Sequence, residues 1–308
     1  MGKNVLIIGY GSIGRRHARN LLELGIAPYI LTRHPDSLHA EFSKDLDIFK
    51  NKNIEYCIIS SATARHLDDL KRCVKSLSSV KKILVEKPLE CSYLRGQEIK
   101  NIARKRKLEI FVGYNLRFMS AFGFIRGFIK KYKNKIKIVE AVAGQDLRQW
   151  RPYKDIKCSY SAYRDCGGGV DLDLSHEIDY VLWLFGDKFK NKYIYRAKIS
   201  SLNIDSPDIF KLFLDYKDFI VDITLDYIRK PKDRYLKIVC DNGKKLYYDF
   251  ITGALEIDGK NIFDGSDELN KSYKVMLNVF LGVDKSHKAK SKLCSVEDGL
   301  NVLKILEV

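Results

Sequence analysis

The sequence predicts an α/β protein, a doubly wound parallel sheet followed by an α+β domain built on a large, mainly antiparallel open sheet. Three observations predict it. A Gly-x-Gly-x-x-Gly run follows the first apolar stretch, short apolar stretches alternate with helical patterns as far as Asn115, and stretches of alternating polarity dominate beyond it. At 308 residues two domains are expected, because single cores rarely keep growing past roughly 250–300 residues. We place them at residues 1–116 and 117–308.

In the first half, Val5 to Gly9, Pro28 to Thr32, Tyr56 to Ser60, Lys82 to Val85 and Ile110 to Gly113 read as strands. Arg15 to Leu24, Ala64 to Leu77 and Ser92 to Lys107 lie between them with apolar residues at helical spacing. The second half opens on a helix, Ala121 to Tyr132, and a strand, Ile136 to Ala143. A charged, aromatic loop leads to Gly167-Gly168-Gly169, after which one helix runs on to Phe185, where Gly186 stops it. Tyr193 to Ser200, Ile209 to Tyr216, Phe219 to Tyr227 and Tyr235 to Cys240 alternate as strands, and Asp241-Asn242-Gly243 is a hairpin turn. Helices at Glu268 to Leu281 and Val296 to Leu306 close the domain.

Composition narrows the function classes. Hydrophobic residues at 45% and charged residues at 31% are globular values. No apolar run approaches the ~18 residues that a membrane span needs. Met1-Gly2-Lys3-Asn4 passes straight into a strand-like run, without the apolar stretch of a signal peptide, so a cytoplasmic location is expected. The cysteines at 57, 73, 91, 158, 166, 240 and 294 stand singly, without a Cys-x-x-Cys pair. They read as reduced thiols, and no metal site is expected. The formal charge of +16 suggests nucleic acid, but the basic residues are dispersed among 39 acidic ones without a basic arm. A surface that draws in an anionic cofactor or substrate fits the charge equally well, and neither a nucleic-acid nor a membrane partner is expected.

Gly9-Tyr10-Gly11-Ser12-Ile13-Gly14 ends a strand and opens a helix, the setting of a dinucleotide fingerprint. Glycine permits the tight turn and close backbone approach to a pyrophosphate, and the helix N-terminus supplies N–H donors. NAD enzymes place an acid about 20 residues on, at the end of the second strand, to hold the ribose hydroxyls. Here the residues are Leu31-Thr32-Arg33-His34. Arg33 is suited to a 2′-phosphate, so NADP is favoured, while Asp36 close by leaves NAD open.

Glu86-Lys87-Pro88 stands at the carboxyl end of the strand Lys82 to Val85, where ligands bind in open α/β sheets. Lys87 can hold a substrate hydroxyl and stabilise charge as hydride leaves. Asp173, His176 and Asp179 recur at three-residue spacing and so share a helix face. Histidine suits proton exchange with an alcohol, and a carboxylate fixes its tautomer. Asp173 is expected to orient His176 or reach the substrate, and Asp179 to be structural. Metal binding by the same residues needs further ligands that the sequence does not place. Trp150 and Arg151 offer an aromatic plane and a guanidinium to a sugar ring and an anionic group.

In order and spacing, the glycine fingerprint, Glu86-Lys87-Pro88, Gly113-Tyr114-Asn115-Leu116-Arg117-Phe118, Gly167-Gly168-Gly169 to His176-Glu177-Ile178-Asp179, and Ser295-Val296-Glu297-Asp298-Gly299 resemble one family. It is the glucose-fructose oxidoreductase, inositol dehydrogenase and MocA family. The resemblance implies a Rossmann domain followed by an α+β domain whose outer sheet face makes homo-oligomer contacts, as a dimer or tetramer. It implies hydride transfer between a nicotinamide and a hydroxyl or keto carbon of a sugar-like substrate, with Lys87 and His176 acting at that substrate. Ser60, His66 and Glu86 fall by the same resemblance at the cofactor, and Asn115, Arg117 and Tyr160 at the substrate. The stretch from Trp150-Arg151-Pro152 to Tyr160-Ser161-Ala162 looks like the branch associated with bacterial surface sugars. Two departures stand out. Ser60-Ser61-Ala62 replaces a common Thr-Pro pair, and Leu172 occupies the position four before the histidine where the family often has Asp. A non-catalytic dinucleotide-binding redox sensor is the competing reading, disfavoured by retention of both Lys87 and His176.

Overall fold

Four apolar residues in succession, Val5-Leu6-Ile7-Ile8, make β1 (Val5–Ile8), and all are buried, as in a parallel strand covered on both faces. The computed structural model describes residues 3–150, 155–266 and 268–307. Helix α1 (Ser12–Glu23) buries Gly14, His17, Ala18 and Leu21, the one-sided stripe of a crossover helix. Strands β2 (Tyr29–Leu31), β3 (Glu41–Ser43), β4 (Tyr56–Ile59), β5 (Lys82–Val85) and β6 (Glu109–Val112) join β1 in a parallel sheet. Their order is β6-β5-β4-β1-β2-β3, with α2 (His66–Ser76) and α3 (Tyr93–Arg106) in the later crossovers. The short β3 has one apolar residue, Phe42, and no sequence signal. It forms because its backbone pairs with β2, Leu31 opposite Ser43, and Thr32 N–H donates to Ser43 O at 2.8 Å.

The second compact unit, Leu116–Ser272, begins with α4 (Ala121–Tyr132) and β7 (Ile136–Gly144). After α5 (Leu147–Trp150) come α6 (Val170–Asp173) and α7 (His176–Phe185). The sequence suggested one continuous helix here. Asp173 and Ser175 are weak helix formers, and the chain breaks at Leu174-Ser175. Strands β8 (Asn191–Ala197), β9 (Ile209–Asp215), β10 (Ile220–Asp226), β11 (Asp233–Cys240), β12 (Lys245–Asp249), β13 (Ala254–Ile257) and β14 (Lys260–Asp264) complete the unit. The sheet order is β14-β13-β12-β11-β7-β10-β9-β8. Only β7 and β10 run parallel; every other neighbouring pair is antiparallel. Alternation is clear in β9, where Phe210, Leu212 and Leu214 are fully buried and Lys211 is exposed between them.

Sequence reading assigned the C-terminal helices to the second domain, but Tyr273–Glu307 packs with Met1–Asn115. Helix α8 (Glu268–Phe280) leads through α9 (His287–Lys290) to β15 (Cys294–Ser295) and α10 (Val296–Leu306). Strand β15 pairs antiparallel with β6 and covers that sheet edge. Helix α10 lies so close to α3 that a Cβ on Gly96 would come within 2.9 Å of Leu300 and Leu303. A long chain separation between partners hides such a contact from local patterns.

Candidate dinucleotide and substrate sites

Gly9 turns the chain at φ +92°, and a Cβ there would sit 2.6 Å from Ser61 N. One on Gly14 would lie 2.2 Å from Gly9 O. The first turn of α1 thus stacks directly on the end of β1, with Gly11 open to solvent and Ser60 Oγ donating to Gly9 O at 2.8 Å. No side chain caps α1 and no acid lies in its first turn. Its leading N–H groups suit an anion. Ser12 is exposed and Ile13 half-buried at this opening.

Tyr10 is only 8% exposed. Its ring meets Phe42 edge-on at 5.4 Å, Arg15 lies over it at 5.2 Å, and its O–H donates to Asp36 at 2.9 Å. Burial, reinforced by Asp36, pushes the phenol up to about 12. Asp36 also accepts from Leu38 N–H at 3.0 Å and pairs with Arg15 at 3.7 Å. The Leu38 N–H, followed by the Tyr10 hydroxyl, holds its carboxyl below the usual range. Asp36 is thereby committed to Tyr10 and its own turn. It does not line the adjoining cavity of about 360 Å³, whose walls include Gly9, Thr32, Arg33, Lys44, Ser61 and Arg65.

Glu86 is buried and central to the Lys87 strand end. Its Oε1 lies 2.7 Å from His17 Nε2, its Oε2 accepts from Lys87 N–H at 3.2 Å, and a Cβ on Gly113 would come within 2.8 Å of Oε1. His17 Nδ1 is buried without a hydrogen-bond partner. This arrangement fits Nε2–H donating to a carboxylate, with the lone pair left on Nδ1. Lys87 is half-buried. His66, expected at the cofactor, instead has Nδ1 3.1 Å from Pro88 O and Nε2 3.2 Å from Ser61 O. It braces the two loops that carry Ser60 and Lys87. Asn115 is fully buried where this stretch of the unit ends.

In the second unit Asp173 parts from His176 and Asp179, which stay together on α7. Arg117 is 2% exposed and grips Asp179 through two bonds of 3.0 and 2.7 Å, with its guanidinium over Trp183 at 5.6 Å. Arg117 therefore sits in the packing of α7, where a substrate contact was expected. Asp173 lies on α6, not on the helix of His176, and accepts from Tyr227 O–H at 2.6 Å. That short charge-assisted bond holds Tyr227, whose ring meets Trp150 edge-on at 5.4 Å. Asp171 is held by Arg196 at 2.8 Å and Arg164 at 3.2 Å. His176 opens α7 and is 8% exposed. Gly168 lets the chain approach Tyr160, whose carbonyl oxygen would lie 2.3 Å from an added Cβ. Arg151 falls outside the described residues. Among the described residues no cluster of His, Cys, Asp or Glu could hold a metal, and no helix is long and apolar enough to cross a membrane.

Sequence reasoning missed His17, Tyr227, Lys44 and Arg65. His17 had a faint signal, three residues after Gly14 on the buried stripe of α1. The other three depend on strand pairing and crossover geometry.

The glycine turn, the parallel sheet and the antiparallel second sheet define the class: a dinucleotide-binding Rossmann domain joined to an α+β domain. Residues 3–114 match a family described as oxidoreductase family, NAD-binding Rossmann fold. Over these residues the chain is similar to the glucose-fructose oxidoreductase, inositol dehydrogenase and MocA family. Inositol 2-dehydrogenase of Salmonella typhimurium is 26% identical over 216 residues, covering 64% of this chain and 58% of that protein. The chain thus matches less than two thirds of that relative's length. Among solved structures, the WlbA dehydrogenase from Bordetella pertussis in complex with NADH and UDP-GlcNAcA superposes with a TM-score of 0.79. It is 14% identical, with 99% of this chain and 94% of that one covered. The UDP-N-acetylglucosamine 3-dehydrogenase GnnA from Acidithiobacillus ferrooxidans gives 0.78 at 16% identity, covering 100% and 97%. These structural likenesses concern the fold.

Proposed function

We propose that the protein is an NADP(H)-dependent dehydrogenase that interconverts a hydroxyl and a keto carbon on a sugar, sugar derivative or nucleotide sugar. The observation that carries the reading is the pairing of the Gly9–Gly14 cradle with a cavity walled by Arg33 and not by Asp36. An acid free to bind ribose hydroxyls favours NAD, and here the nearby acid is already bound to Tyr10. Bound at the cradle, the nicotinamide would supply the hydride acceptor or donor. By family resemblance, Lys87 holds the substrate hydroxyl and His176 exchanges its proton, with Trp150 and Tyr160 against the sugar. Glu86 fixes the Lys87 main chain. Asp173, anchored on Tyr227, supports the wall behind Trp150. The outer face of the second sheet, with Tyr193 and Tyr195 more than half exposed, is the surface on which copies would associate. Fluorescence titration with NADPH and NADH, then turnover on a panel of nucleotide sugars and inositols, tests the reading. Tighter NADH binding defeats the cofactor assignment, and no turnover on any member defeats the substrate class.

A further inference from the structure

We propose that Lys44 and Arg65, which lie outside the fingerprint and the end of β2, are specificity-determining residues that clamp the 2′-phosphate of the dinucleotide from the side opposite Arg33. The inference rests on the NADP(H) reading and extends it to residues in two other crossovers. The cavity that starts at Gly9 and Thr32 is lined by Arg33, His34, Lys44, Arg65 and Arg72, and among the described residues Asp69 is the one acid in its lining.

Register explains how Lys44 arrives there. Strands β2 and β3 are parallel with Leu31 opposite Ser43, so the next residues, Thr32 and Lys44, leave the sheet side by side. Thr32 N–H bonds to Ser43 O, and Thr32 Oγ1 accepts from His34 N–H at 3.1 Å. The β2 end is thus turned, and Arg33 and Lys44 issue from adjacent carboxyl ends. Neither has a carboxylate within ion-pair distance among the described residues. Their neighbours differ, since Lys50 pairs with Asp47 and Lys52 with Glu41.

Arg65 comes from the far wall. Arg65, Asp69 and Arg72 follow i, i+4 and i+7 spacing, which returns to within about 20° of one helix face. Asp69, with its side chain 2% exposed, sits between the two guanidiniums, 3.4 Å from Arg65 and 3.3 Å from Arg72. One carboxylate oxygen shared by two arginines leaves a net positive charge and most of their N–H donors unused. Asp69 Oδ2 is itself buried without a partner, so the carboxylate is held inside while the arginine heads, 63% and 51% exposed, lie outward. Arg33 and Lys44 on one wall, facing Arg65 on the other, make an enclosure for a dianion. A ribose hydroxyl has no use for three cations. A phosphate monoester accepts from all of them.

The test uses the full chain and calorimetric titration with adenosine 2′,5′-bisphosphate and adenosine 5′-monophosphate. Lys44, Arg65 and Arg33 are surface side chains, so Lys44→Gln, Arg65→Gln and Arg33→Gln should fold. Lys44→Gln and Arg65→Gln should each weaken the bisphosphate about tenfold, the worth of one charge-assisted bond, and leave the monophosphate unchanged. The slope of log affinity against log salt should also flatten in each. If wild type does not prefer the bisphosphate, the NADP(H) reading fails and the clamp with it. If the preference is lost in Arg33→Gln but kept in full by Lys44→Gln and Arg65→Gln, the clamp alone is refuted.

Discussion

Replacing Asp179 by Asn should destabilise the second unit by several kcal/mol. Two hydrogen bonds of 3.0 and 2.7 Å join Asp179 to Arg117, and both side chains are at most 3% exposed. Water cannot replace the lost carboxylate, and breaking a buried ion pair by removing one partner costs about 3–5 kcal/mol. For a unit of this size that corresponds to a fall in Tm of roughly 6–20 °C. Arg117 lies over Trp183, so urea unfolding followed by near-ultraviolet circular dichroism reads the site directly. The control is Asp47→Asn, which breaks the half-exposed pair with Lys50 and should cost less than about 1 kcal/mol. Equal midpoints for the two variants would refute the argument.

Lys87→Ala should leave NADPH titration unchanged and lower kcat about 10²-fold on whichever panel substrate is turned over; an unchanged kcat removes Lys87 from the mechanism. Gly14→Ala drives a Cβ into Gly9 O and Ser60 Oγ. Saturating NADPH, worth about 2.7 kcal/mol at a hundredfold excess over Kd, should raise the Tm of wild type and not that of the variant. Asp146 is buried and its carboxyl is held below the ordinary carboxylate range, chiefly by the Arg148 side chain. A depressed folded value contributes stability above the ordinary value, and this is lost as pH falls through the lowered one. The urea-midpoint gap between wild type and Asp146→Asn should therefore persist at pH 7 and close during acidification below about pH 4; a gap constant with pH would contradict this.

Apolar runs long enough to be buried on both faces made the strands at 5–8, 56–59 and 82–85 legible, and the glycine fingerprint located the cradle because only glycine fits its contacts. Strand β3 was illegible: Glu41-Phe42-Ser43 has no pattern of its own and is ordered by its partner. Missing that strand meant missing Lys44. Three-residue spacing placed Asp173 with His176, but the spacing argument assumes an unbroken helix, and α6 ends at Asp173. Arg117 stood in a recognisable motif, which identified a residue of consequence without distinguishing a ligand contact from a buried ion pair. Asp179 was expected to be structural from its place beside the apolar Val181 to Phe185 stretch, and it lies in a buried pair with Arg117.

The return of Tyr273–Glu307 to the first unit has a consequence in time. Residues 116–272 separate the two parts of that unit, and a ribosome adding about 5–20 residues per second needs roughly 8–30 s to make them. Through that interval β6 is an unpaired sheet edge, because its neighbour β15 has not been synthesised, and unpaired edges invite association with other chains. The apolar side of α3 that Leu300 and Leu303 later cover at Gly96 is bare as well. The second unit, contiguous in sequence, is synthesised in full before Tyr273–Glu307, so the domain that begins first is the one completed last.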